Sequence, residues 1–215
     1  MLIIFDWDGT LCDSASRIVA AMAAAARECG LAVPAAGATE NIIGLGLQES
    51  MEALFPARDE ACYSQLKALY SSHFLALDQV PSPLFEGALE TLEALRARGH
   101  RLAVATGKSR RGLDRVLAGH QLGGYFDGSR CADESRSKPH PLMLQQLLQE
   151  LESSVDDACM IGDTEYDLGM AQAASMTAIG VSYGSHSRQR LRRHDPLAIV
   201  DTLPELLDLG IFNSA

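Results

Sequence analysis

The chain has 215 residues, enough for one large domain or a domain carrying an inserted module. Apolar residues make up 47% and charged residues 21%, the balance of a soluble globular chain, and no apolar run is long enough to span a bilayer. The net charge of -10 argues against a nucleic-acid or membrane-surface partner, because both present phosphates that need a basic face.

The N-terminal Leu2-Ile3-Ile4-Phe5 is a short apolar run that ends abruptly in acids and a glycine, the pattern of a buried parallel strand followed by a tight loop. It has no basic residues before it and is interrupted at once by Asp6, so no signal peptide is expected and a cytoplasmic location is. Cys12, Cys29, Cys62, Cys131 and Cys159 are scattered and form no CxxC pair, which predicts reduced thiols rather than a disulfide framework or a zinc site. From about Ser14 to Leu84 no buried strand is legible. Helical spacing instead runs over Ile18–Cys29, Leu47–Leu54 and Glu60–Leu77, punctuated by Gly37, Gly44, Gly46 and Pro56. Pro81-Ser82-Pro83 closes this segment like a hinge.

After the hinge, apolar runs and helical segments alternate. Arg101–Ala105, Ala158–Ile161 and Thr177–Val181 read as buried strands, and Phe85–Ala97, Gly112–Leu117, Pro141–Leu151 and Asp167–Ala174 as helices. Ala198–Val200 is a candidate edge strand and Pro204–Leu209 a closing helix. Such alternation predicts an α/β fold: a doubly wound parallel sheet, a Rossmann-like core, with a small inserted helical module. The expected core is residues 1–13 and 85–215, and the expected insert residues 14–84.

Chemistry-bearing residues fall where these strands end, which is where open α/β sheets bind ligands. Asp6-Trp7-Asp8-Gly9-Thr10 follows the first strand; its two carboxylates could share a cation, or one could attack while the other handles protons, unless the string is only an acidic turn. Thr106-Gly107-Lys108-Ser109 follows Arg101–Ala105, and the Thr106 hydroxyl and Gly107 amide can both donate to a phosphate oxygen. It lacks the upstream glycine of a P-loop. In Lys138-Pro139-His140-Pro141 the prolines stiffen the chain ahead of a helix, placing the Lys138 ammonium to neutralise a phosphoryl oxygen; His140 reads as incidental. Gly162-Asp163-Thr164-Glu165-Tyr166-Asp167 is a second acidic loop. Asp163 would complete an oxygen-ligand site for a hard cation such as Mg2+, Asp167 could face the same place, and Glu165 is ambiguous. The arginines of Arg188–Arg193 read as a solvated helix face.

DWDGT, ATGKS, SKPHP and GDTEYD, in that order, resemble the four motifs of the haloacid dehalogenase superfamily, and the likeness covers nearly the whole chain. The insert resembles that family's small helical cap. DGTLCDS, the loop Gly44-Leu45-Gly46-Leu47 and the closing IVDTLPELL are similar to phosphoglycolate phosphatase-like members. Trp7 departs from the leucine, methionine or smaller apolar residue common there, and is expected to pack away from the reaction.

The resemblance implies a magnesium-dependent phosphatase acting on a small phosphorylated metabolite. Asp6 would attack phosphorus and form an aspartyl-phosphate, with Mg2+ held by Asp6, the Asp8 carbonyl and Asp163, supported by Asp167. Asp8 would protonate the leaving alkoxide and then deprotonate water, a role for which acidic neighbours should keep it protonated at the start. Thr106, the Gly107 amide and Lys138 would hold the phosphoryl oxygens. Arg17 and the loop residues Gly44, Leu45 and Gly46 are candidate readers of the leaving group. A phosphomutase of the β-phosphoglucomutase kind would use the same core residues. A phospho-receiver or scaffold module is the alternative outside enzymes, although receivers carry their aspartate on a central strand in mid-sequence.

Overall fold

The computed structural model describes residues 1–213. Six parallel strands form one sheet: β1 (Leu2–Phe5), β2 (Arg101–Thr106), β3 (Gly128–Cys131), β4 (Ala158–Gly162), β5 (Thr177–Val181) and β6 (Ala198–Val200), in the order β3-β2-β1-β4-β5-β6. The chain therefore winds outward from β1 to β3, returns to the other side of β1, and winds outward again. The direction of winding reverses between β1 and β4, and at such a reversal the loops leaving neighbouring strands diverge and open a crevice.

β1 lies between β2 and β4, with Phe5 in register with Val104 and Ile161. Its side chains alternate between the faces: Ile3 and Phe5 join one apolar cluster, Leu2 and Ile4 the other. Both faces are covered, so all four residues are apolar and the strand reads as a continuous run. On the first face lie α5 (Ala88–Ala97) and α6 (Arg110–Gly119); on the second lie α7 (Leu142–Glu150), α8 (Glu165–Ala173) and the short α9 (Arg188–Leu191).

Between β1 and α5 the chain is helical: α1 (Ala15–Glu28), α2 (Ala36–Glu40), α3 (Leu47–Leu54) and α4 (Glu60–Leu77). The insert has its own apolar centre, with Met22, Ala25 and Ala26 of α1 against Met51 and Phe55 at α3 and Tyr63 and Leu66 of α4. Cutting this surface off from water is what makes the alanine-rich α1 more than a marginal helix. Among the described residues no helix is long and apolar enough to cross a membrane.

Several expectations need correction. β3 has no sequence signature, because Gly128-Ser129-Arg130 is only half-buried at the sheet edge and Cys131 alone is fully buried. α2 is likewise too short to show a period. The helix expected from Phe85 begins at Ala88, because the Phe85 amide instead donates to the Leu11 carbonyl, tying it to the loop after β1. The expected closing helix is a 3-10 turn over Leu203–Asp208, whose buried Leu203 and Leu206 suit a repeat of three residues per turn.

Candidate active site

The loop after β1 is wound round one carbonyl. The amides of Leu11 and Cys12 donate to the Trp7 oxygen at 3.0 and 2.9 Å, closing the turn that presents Asp6 and Asp8. The Trp7 side chain is fully buried in the apolar cluster beneath the sheet, as its departure from the common residue predicts. Gly9 adopts φ +86°, and a Cβ there would sit 2.3 Å from Asp163 Oδ2, so only glycine lets this loop approach the one after β4.

That approach gathers three buried carboxylates. One oxygen each of Asp6, Asp163 and Asp167 lies within 4.8 Å of the others. Lys138 stands among them, its Nζ 2.6 Å from both Asp6 Oδ1 and Asp167 Oδ1, and its side chain is fully buried. Burial pulls the lysine pKa down, but Asp167 and Asp6 outweigh it and hold the group charged. Asp163 is fixed by the Thr10 hydroxyl at 2.8 Å and the Ser185 amide at 2.7 Å. Asp167 also closes a capping box at the start of α8 with Thr164. Thr10, Ser185 and Thr164 are supporting groups that the motifs alone did not single out.

Asp6 differs from the other two: its Oδ2 is buried and accepts no hydrogen bond among the described residues. Burial first, then Asp167 and Asp163, push its carboxyl well above the ordinary value against the pull of Lys138. Burial and Asp167 likewise push Asp163 up to about 7. Three carboxylates against one ammonium leave excess negative charge in a dry site, which is costly unless a cation joins them. Oxygen donors of this kind suit a hard divalent ion, so the residues present fit Mg2+.

Asp8 lies on the other side of Asp6 in a different setting. Its Oδ1 accepts from the Ser14 hydroxyl and sits 2.9 Å from Lys108 Nζ. The neighbours of Asp8, expected to be acidic, are thus a lysine and a serine, whereas Asp6 meets Lys138. Lys108 has no role of its own in the sequence reading; its place after β2, beside Thr106 and Gly107, is the signal that marks it. The Thr106 hydroxyl accepts from the Lys108 amide at 3.2 Å, which leaves its own proton free to donate. At Gly107 a Cβ would lie 2.3 Å from the Leu45 carbonyl, so the insert's loop rests directly on this residue.

A cavity of about 390 Å3 opens between insert and core, bordered by Asp8, Gly107 and Lys108 below and by Gly44 and Leu45 beside them. Arg17 does not line it; its guanidinium pairs with Asp78 at the end of α4. Gly46 does not line it either, since its amide donates to Ser137 Oγ at 2.8 Å and holds the loop to the core. Glu165, left ambiguous by sequence, pairs with Arg190, and Arg188 pairs with Asp201, so these arginines are engaged within the fold.

Residues 3–181 match the sequence pattern of the family described as haloacid dehalogenase-like hydrolase. The chain belongs to that family. The "Probable phosphatase IndB" of Dickeya dadantii is 36% identical, the alignment covering 96% of this chain and 91% of that one. A phosphoglycolate phosphatase of Vibrio vulnificus is 29% identical over 99% and 97% of the two chains. The crystal structure of a hydrolase from Pseudomonas syringae superposes with a TM-score of 0.88, covering 97% of this chain and 96% of that one; at 23% identity this likeness concerns the fold. Within the family the chain is a phosphoric monoester hydrolase, which sets aside the receiver-module alternative.

Proposed function

We propose that the protein is a magnesium-dependent phosphatase that hydrolyses a small phosphomonoester through a phosphoryl group carried on Asp6. The observation that carries this reading is the open, buried Oδ2 of Asp6, which has neither a hydrogen-bond nor an ion-pair partner among the described residues, beside a charged Lys138. Asp6, the Asp8 carbonyl and Asp163 would hold Mg2+, with Asp167 in support. The ion would supply positive charge that lets two anions meet.

The chain's own groups do the rest. Asp6 Oδ2 attacks phosphorus, and the bond to the leaving oxygen breaks as Asp8 gives that oxygen a proton. Asp8 then takes a proton from water, whose oxygen attacks the phosphoryl group and frees Asp6. Phosphoryl transfer needs chiefly positioning and charge neutralisation. Thr106, the Gly107 amide and Lys138 would hold the non-bridging oxygens. Lys108 would exchange its contact with Asp8 for one with substrate as the ester arrives. Phosphoglycolate and sugar phosphates are the substrates suggested by the names and resemblance of the relatives.

The test is phosphate release from a panel of phosphomonoesters, with and without Mg2+, by wild type and Asp6→Asn. The expected result is magnesium-dependent release that Asp6→Asn abolishes, with a fall of at least 1,000-fold, on the order of other losses of an essential catalytic group. Turnover surviving in Asp6→Asn would remove Asp6 as nucleophile. Phosphoryl return to a sugar, with no net phosphate release, would establish the mutase instead.

A further inference from the structure

The leaving-group side of the cavity is lined mainly by hydrocarbon. Ile18 and Met22 of α1, Ile43 and Leu47 around the insert's loop, and Phe74 and Leu75 of α4 supply this hydrocarbon, with Ser50, Tyr70 and Ser71 lining the cavity as well. Its charged groups are largely engaged with the protein itself. Lys108 faces Asp8 at 2.9 Å and Arg115 faces Asp78 at 2.8 Å, and both stand over the Phe74 ring, at 5.0 and 5.6 Å from its centre. Arg111 alone of the lining cations makes no ion pair among the described residues, and it is exposed.

A polyhydroxylated sugar, or the carboxylate of a two-carbon acid, would set polar groups against the hydrocarbon stretch of this wall, where Ser50, Tyr70, Ser71 and Arg111 are among the polar groups outside the ion pairs, and each polar group buried without a partner costs free energy. Size argues the same way. An apolar cavity of about 150 Å3 is enough to hold one benzene ring, and this one measures about 390 Å3. A two-carbon leaving group would leave most of it unfilled.

We propose that the cavity takes a phosphomonoester whose alcohol carries a ring-sized apolar group, seated between α1 and α4 against Phe74, in preference to glycolate or a simple sugar. The proposal rests on the phosphatase reading for the direction in which the ester lies, but not for the preference itself. Filling the wall with a group the size of a phenyl side chain should strengthen binding roughly 10- to 100-fold over a methyl group.

Phosphonates separate the two questions because they bind without turning over. Calorimetry in Mg2+ should find 2-phenylethylphosphonate bound at least tenfold tighter than methylphosphonate. Leu75→Ser, at a wall position already 45% exposed and therefore tolerant of change, should reduce that ratio severalfold. Equal binding of the two phosphonates, or a ratio untouched by both Leu75→Ser and Ile43→Ser, overturns the proposal. Turnover is then compared for 2-phenylethyl phosphate, ethyl phosphate and phosphoglycolate, the first two being esters of primary alcohols of similar acidity. Faster kcat/KM for the phenylethyl ester is expected. A preserved binding ratio with no turnover of any ester would sink the phosphatase reading and leave the apolar pocket standing.

Discussion

At the scale of the residue, the site is governed by charge held out of water. Among the described residues Lys138 is the buried cation that pairs with Asp6 and Asp167, and its side chain is fully buried. Lys138→Met keeps the length and most of the volume but removes the charge. Leaving buried carboxylates without their partner costs about 3–5 kcal/mol, so this variant should unfold in urea at a clearly lower midpoint with its m-value unchanged. An unchanged midpoint would mean that the lysine contributes nothing to holding the cluster together. Sequence made Asp6, Asp8, Asp163 and Asp167 legible because each follows a strand that is itself legible, and Lys138 because the prolines after it set it just ahead of a helix. It did not reveal which of them touch. The separation of Asp8, toward Lys108 and Ser14, from Asp6, toward Lys138, depends on how loops far apart in sequence come together.

At the scale of the element, β3 shows how an edge strand without an apolar run is kept in place. Arg110, at the first turn of α6, donates to Ser129 Oγ at 2.8 Å and grips Glu134 through both Nε and NH2, at 2.8 and 2.7 Å. Glu134 in turn accepts from the Cys131 amide at the end of the strand. The Arg110 hydrogen bonds hold the Glu134 carboxyl below its ordinary 4.5. A carboxylate with a depressed folded pKa adds stability that is present above 4.5 and lost as pH falls through the lowered value. The pair is partly exposed, so its worth is at most about 1 kcal/mol, or about 2–4 °C in Tm for a chain of this size. Glu134→Gln should therefore melt a few degrees below wild type at pH 6, and the two curves should draw together as pH falls below 4.5 through the lowered value. A gap that stays constant as pH falls would assign the effect to packing rather than to this ion pair.

At the scale of the molecule, the insert is docked on the core at two places besides the loop that Gly46 ties to Ser137. On one side Asn41 is held by three core side chains: Tyr166 donates to its carbonyl at 3.0 Å, His186 contacts the same oxygen through Nε2 at 3.2 Å, and Arg190 donates to its Oδ1. His186 Nδ1 accepts the Glu165 amide, so Nε2 carries the proton, and burial keeps the ring's pKa low. On the other side Asp78 of the insert takes Arg115 of α6. The double variant Tyr166→Phe, Arg190→Ala should loosen the first contact alone. Hydrogen exchange over residues 36–46 should speed up while β1 and β4 stay protected, and kcat/KM should fall about tenfold, because an open insert admits water and leaves the leaving group unheld. Exchange unchanged in that segment would mean that Asn41 is not a docking point.

The sequence by itself determined the α/β class, the place of the helical insert and the strand ends that carry the acids, because burial on both faces of a sheet forces continuous apolar runs and the turns after them need glycine, threonine and aspartate. What only the tertiary structure decided is what those residues meet. Arg17 was expected to read substrate, yet it faces Asp78; Lys108 was unmarked, yet it sits on Asp8; β3 carried no signal, yet an arginine holds it. Side-chain partners of this kind lie tens of residues apart. Local periodicity records only which face of an element is buried, whereas the packing of elements chooses which charges meet.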